Sequence, residues 1–221
     1  MKISLAVIAL ILTTTVLPHY ADAGDFRWCT SVAQTPLSEL IASKVPELPK
    51  NYSTASHFQK DGEWDYNLPL QDVWTLYTTT PMKKMWESHY IVHRFSLSAG
   101  STVQESEETT SVGIHEGTRM FLDIKALLKG NVCNMAIGFQ VTQVVPLKLI
   151  QLEYLDFSPP YGTQWMYFEK LSETKTRVVQ FSQYLGKDEI IDHFYAFFHN
   201  EEIPRLHRRL QQLAIEQEKS R

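Results

Sequence analysis

The chain has 221 residues, 43% of them hydrophobic, and a formal charge of −4 at neutral pH. That length suits one domain with a sizeable core. The acidic balance, with no dense stripe of lysine and arginine, excludes a surface built for nucleic-acid phosphates.

At the amino terminus Lys2 is followed by an apolar run, Ile3 to Leu17, and then by Ala21-Asp22-Ala23. This pattern fits an export signal over residues 1–23 cleaved before Gly24, which makes the mature protein periplasmic or secreted. The run is shorter than the roughly 20 residues of a membrane span, and Thr13-Thr14-Thr15 interrupts it. Cys29 and Cys133 are the only cysteines. In an oxidising compartment they are candidates for a disulfide closing a loop of about 100 residues, worth up to about 4 to 5 kcal/mol; two unpaired buried thiols are the alternative.

Residues 24–52 read as an amino-terminal arm: a short amphipathic helix with Leu37, Leu40, Ile41 and Val45, then a linker with Pro46 and Pro49, capping an end of the domain. His57 to Tyr66 reads as a first strand. Pro69 opens a helix with Leu70, Val73, Trp74 and Tyr77 at i, i+3, i+4 and i+7, and Met82 to Trp86 forms another turn of helix. A strand from His89 to Ser98 leads to a hairpin signal at Gly100-Ser101, whose partner, Ser101 to Ser111, has the composition of an exposed edge. In 116–130 the alternation of Met120, Leu122 and Ile124 favours a strand and then a turn, while Ile124, Leu127 and Leu128 also fit a helix.

Alternation is clearer beyond. Met135, Ile137, Phe139, Val141 and Val145 share one strand face, and Ile150, Leu152 and Tyr154 point inward from the next. Gln164, Met166 and Phe168 lie together on a third strand, and Val179, Phe181 and Gln183 on a fourth. Short polar turns between these strands predict an antiparallel meander. The chain closes on a helix from Asp188 to about Lys219, whose stripe of Ile190, Ile191, Phe194, Tyr195, Phe197 and Phe198 continues through Ile203, Leu206, Leu210 and Leu213. Pro204 predicts a break near 199–204 that divides the helix into two halves.

The resulting fold class is α+β: a strongly curved antiparallel sheet of about seven strands around a long carboxy-terminal helix, over residues 53–221. Four stretches carry a resemblance to the START and birch-pollen-allergen superfamily, SRPBCC. They are Leu68-Pro-Leu-Gln-Asp-Val-Trp74, Val144-Val-Pro-Leu-Lys-Leu-Ile150, and Gly162-Thr-Gln-Trp-Met-Tyr-Phe-Glu169 with Thr176-Arg-Val-Val-Gln-Phe-Ser-Gln-Tyr-Leu-Gly186. The resemblance implies a helix-grip fold and an apolar ligand such as a lipid, sterol or polyketide; export, the cysteines and Pro204 depart from the pattern.

The expected lining is Ile137, Phe139, Tyr154, Gln164, Met166, Phe168, Phe181, Gln183, Phe194 and Phe198, with Tyr154, Gln164 and Gln183 placed to orient a polar head. No cofactor or metal is expected. The spacing of His193, His199 and His207 along the last helix reads as surface or capping positions, and Arg205, His207, Arg208 and Arg209 as a solvated cationic turn, with contact to anionic lipid as the alternative. The expected partner is an apolar small molecule or lipid bound by a monomer or weak dimer. Two other classes stay open: an enzyme on the same scaffold that uses Tyr154 or a helix histidine as proton donor, and an interaction domain with a filled core.

Overall fold

A computed structural model describes residues 31–88, 91–97, 113–128 and 131–219. The expected export signal, Cys29, the Cys133 side chain and the Ser101–Ser111 strand lie outside what it describes. The elements are α1 (Leu37–Ala42), α2 (Tyr52–Ala55), β1 (His57–Tyr66), α3 (Leu70–Thr79), α4 (Met82–Met85), β2 (Ile91–Leu97), β3 (Arg119–Leu128), β4 (Asn131–Val145), β5 (Leu149–Tyr154), β6 (Pro160–Ser172), β7 (Lys175–Gly186) and α5 (Glu189–Lys219).

The seven strands form one sheet in the order β1-β7-β6-β5-β4-β3-β2, antiparallel throughout. Strands β2 to β7 are a meander, and β1 closes onto β7. The sheet curls so that residues of β1 and of β3 through β7 share a single apolar core with α5. Proline starts three of the helices: Pro36, Pro69 and Pro81 directly precede α1, α3 and α4, where a missing N–H removes nothing the helix needs. Asp188 caps α5 by accepting the Ile191 amide at 2.9 Å.

Helix α5 runs unbroken across Pro204, contrary to the two halves expected. Ile203, Leu206 and Leu210, on either side of the proline, are buried in the domain, and tertiary packing of that stripe outweighs the lost backbone bond. No described helix is long and apolar enough to cross a membrane.

The amino-terminal arm lies across the back of the sheet instead of capping an end. Val32 and Leu40 pack with Phe121, Ala136 and Leu155 in a second, smaller core on the outer face of β3 and β4. Its anchor is the buried Asp123 carboxylate, which accepts the Val32 amide at 2.6 Å and the Ser31 hydroxyl. Gly138 makes room there for Phe157, since a Cβ at that position would meet the ring at 2.3 Å.

Candidate functional site

The inner wall is set by strand register. Residues directly opposite in an antiparallel pair point to one side, so Ile150, Met166 and Gln180 form one rung across β5, β6 and β7, and Leu152, Gln164 and Ser182 form the next. Both rungs start apolar on β5 and end polar on β7. Phe139 faces Tyr154, their rings 4.7 Å apart, and Phe168 faces Val178.

This register corrects part of the expected lining. Ile137, Phe139, Tyr154, Gln164, Met166, Phe168 and Phe198 are all buried inside, and Phe194 packs at the edge of the same core. Phe181 and Gln183 face outward. Phe181 stacks on the exposed Phe58 at 6.0 Å, and Gln183 donates to the Ser56 hydroxyl at 2.7 Å. The inward positions of β7 are Thr176, Val178, Gln180, Ser182 and Tyr184. Because the interior carries polar groups there, side-chain polarity pointed to the wrong face. Two smaller shifts share this origin in local geometry. A bulge between Val141 and Gln143 turns Val144, not Val145, toward the core, and Phe197 is solvent-exposed.

The largest departure concerns the histidines. His199 and His207 are buried at 3% and 0% exposure. Eight residues at about 100° each leave them about 80° apart, within one buried stripe. Neither is a surface residue.

His207 occupies the middle of a continuous chain of buried side chains. The Tyr66 and Tyr77 hydroxyls meet at 2.8 Å, the Tyr77 hydroxyl meets His207 Nδ1 at 2.5 Å, and His207 Nε2 meets Gln180 Oε1 at 2.7 Å. Gln180 Nε2 donates to Gln164 Oε1 at 3.0 Å, Gln164 Nε2 donates to the Tyr154 hydroxyl at 2.6 Å, and that hydroxyl bonds the one on Tyr195. Seven side chains thus link α3, β1, α5, β7, β6 and β5. Burial holds the His207 imidazole neutral, its pKa lowered to about 3. Burial likewise pushes the Tyr66, Tyr77, Tyr154 and Tyr195 hydroxyls well above the ordinary tyrosine range, so at neutral pH the chain carries no net charge.

A second polar cluster adjoins it. Asp61 is the extra residue of the bulge between Lys60 and Gly62. That bulge turns its carboxylate inward to accept from His199 Nε2 at 2.9 Å and from the Ser182 hydroxyl. The His199 and Asp61 side chains are 1% and 2% exposed. The His199 ring lies 5.7 Å from that of Tyr195 and 5.2 Å from that of Tyr184. Asp61, Tyr77, Gln180 and Ser182 were not among the site residues expected from the sequence, and His199 and His207 were expected only as surface or capping positions or, in the enzyme alternative, as a helix proton donor. A glycine within a strand, Gly62, was the available signal for the bulge. Among the described residues no three histidine, cysteine or acidic side chains converge on a metal site.

The chain matches no protein-family model and no curated protein. Solved structures do match. One is a point mutant of norcoclaurine synthase from Thalictrum flavum in complex with a transition-state analogue, at 10% identity and a TM-score of 0.54 over 74% of this chain and 97% of that one. Another is norcoclaurine synthase from the same plant in complex with dopamine and hydroxybenzaldehyde, at 9% identity and a TM-score of 0.53 over 78% and 95%. A START superfamily protein from Mycobacterium smegmatis aligns at 10% identity with a TM-score of 0.48 over 72% and 98%. The fold is of the START/SRPBCC, helix-grip type.

Proposed function

We propose that this protein binds an apolar small molecule between the concave face of its sheet and α5, with no chemistry performed on it. The observation that carries this reading is the composition of the inner wall. Met166, Phe168, Phe139 and Phe198 give it an oily surface, and Tyr154, Gln164 and Tyr195 set a few convergent polar groups into it, the make-up of a ligand site. A core that only packs gains nothing from burying so many hydroxyl and amide groups, each of which must recover the hydrogen bonds it gave up in water. The same fold in norcoclaurine synthase accommodates dopamine and hydroxybenzaldehyde, which supports a small molecule as occupant. The reading extends to export, with residues 1–23 as a cleaved signal, and to a lipid or similar compound as the natural ligand.

Purified without additives, denatured and extracted, the protein is expected to release an apolar compound in near-stoichiometric amount, identified by mass spectrometry. An empty extract from protein that also takes up no apolar fluorophore would refute the reading. Amino-terminal sequencing of the exported protein is expected to begin at Gly24.

A second reading, an enzyme on this scaffold, draws on the buried Asp61 and His199 pair beside Tyr195, since a carboxylate that orients an imidazole is a frequent proton-transfer arrangement. Conversion of the extracted compound by the native protein, lost in His199→Gln, is the result that would favour it.

A further inference from the structure

The buried chain from Tyr66 to Tyr195 has a proton inventory that does not close. Gln164 Nε2 donates to the Tyr154 hydroxyl, so Tyr154 and Tyr195 hold two hydroxyl hydrogens between them and one mutual bond to spend them on. Neither tyrosine has a further hydrogen-bond partner among the described residues. One O–H donor is therefore left over, on side chains only 1% and 3% exposed. A stranded buried donor is expensive.

The chain has a second polarity in which every hydroxyl hydrogen has an acceptor. An amide's oxygen and nitrogen exchange places by a half-turn of its terminal bond. With both amides turned, Tyr195 donates to Tyr154, Tyr154 to Gln164, Gln164 to Gln180 and Gln180 to His207 Nε2. His207 then carries its hydrogen on Nδ1 and donates to Tyr77, Tyr77 donates to Tyr66, and Tyr66 donates to the His207 carbonyl, which already lies 3.3 Å from it. Apart from the turned amides the heavy atoms stay in place, and the imidazole keeps one hydrogen in both polarities, which moves between its nitrogens by exchange with water when the fold opens locally. Only an acceptor placed at the tyrosine pair favours the first arrangement over the second.

We propose that Tyr154 and Tyr195 anchor the ligand by donating one hydroxyl hydrogen to an uncharged acceptor oxygen, a ketone, aldehyde or ester. Occupancy is registered some distance away as transfer of the His207 hydrogen from Nδ1 to Nε2. The inference rests on the ligand-binding reading above and narrows its ligand to acceptor-bearing apolar molecules. The low pKa of His207, about 3, agrees with an imidazole that stays neutral in both polarities and can switch tautomer without taking up charge.

The test uses the mature protein stripped of any bound molecule, with 2-acetylnaphthalene and 2-ethylnaphthalene as probes. The two are close in shape, and the ketone is the better hydrated, so a pocket lacking a donor prefers the hydrocarbon. With the anchor present the ketone is expected to bind about tenfold more tightly than the hydrocarbon. The preference should reverse in the double variant Tyr154→Phe/Tyr195→Phe. Nitrogen-15 spectra of the unsubstituted protein are expected to show His207 protonated on Nδ1 when free or with 2-ethylnaphthalene, and on Nε2 with 2-acetylnaphthalene. Equal affinities, or a tautomer unchanged by bound ketone, would overturn the anchor and leave apolar binding standing. Failure of both probes to bind would remove both.

Discussion

Trp64 lies face to face on the His207 imidazole, with ring centroids 3.6 Å apart and planes 12° from parallel. The stack exists because Gly62 precedes it: a Cβ there would approach the indole to 2.7 Å. Trp64 covers a ring face while Tyr77 and Gln180 take its two nitrogens, so no water reaches the imidazole and charging it is unfavourable.

That neutral histidine makes stability depend on pH. An unfolded chain protonates His207 near 6.5, whereas the folded protein resists until about 3. Between those values the unfolded state binds the extra proton. The stability supplied by neutral His207 is therefore complete above about pH 6.5 and is lost as the pH falls, by up to about 1.4 kcal/mol per unit. Urea unfolding at pH 7.5 and 5.0 should show this loss, and His207→Gln should show a fall shallower by about 2 kcal/mol. Parallel falls would mean that the native histidine is charged.

Asp61 holds together an interior cluster contributed by β1, β7 and α5. Asp61→Ala leaves His199 and the Ser182 hydroxyl without their buried acceptor and is expected to destabilise the fold by about 2 to 4 kcal/mol. In a double-mutant cycle with His199→Ala, a coupling of about 1 to 3 kcal/mol is expected from chemical denaturation; additive losses would show that the pair contributes nothing specific.

Gly162 on β6 lies opposite Tyr184 on β7. Its φ of +148° disfavours any side chain, and a Cβ would come within 2.3 Å of the Gln183 carbonyl oxygen. Gly162→Ala should cost more than about 2 kcal/mol and lower the melting temperature by several degrees, whereas a substitution at the exposed Leu171 should stay within about 0.5 kcal/mol.

Strand phase separates binding from surface. Phe181→Ala and Gln183→Ala lie on the outer face and are expected to leave the affinity for an apolar probe within about twofold. Phe139→Ala and Met166→Ala remove inner-wall surface and should weaken it by about tenfold or more, at about 1.5 to 3 kcal/mol of transfer energy per side chain. Fluorescence titration measures both, and an effect of Phe181 equal to that of Phe139 would place the ligand elsewhere.

Order and type of the elements were legible because period-two alternation is strong where one sheet face is oily and the other wet. Strands β4, β5 and β6 show it, and Tyr154, Gln164 and Met166 were placed inward for that reason. Strand β7 was read on the wrong phase. Its inner positions hold Thr176, Gln180, Ser182 and Tyr184, its outer ones Val179 and Phe181, so hydrophobicity pointed away from the core. The histidines failed similarly: helical spacing gives an angle around an axis, not what stands opposite.

By itself the sequence determined the helix-grip order of strands and helices and the apolar side of most of them, since each of these depends on neighbours a few residues apart. Only the tertiary structure decided that Tyr66, Tyr77, Gln180, Gln164, Tyr154 and two residues of α5 share one hydrogen-bonded chain. Those partners lie up to 141 positions apart, and a buried polar group is stable only where the fold supplies its partner.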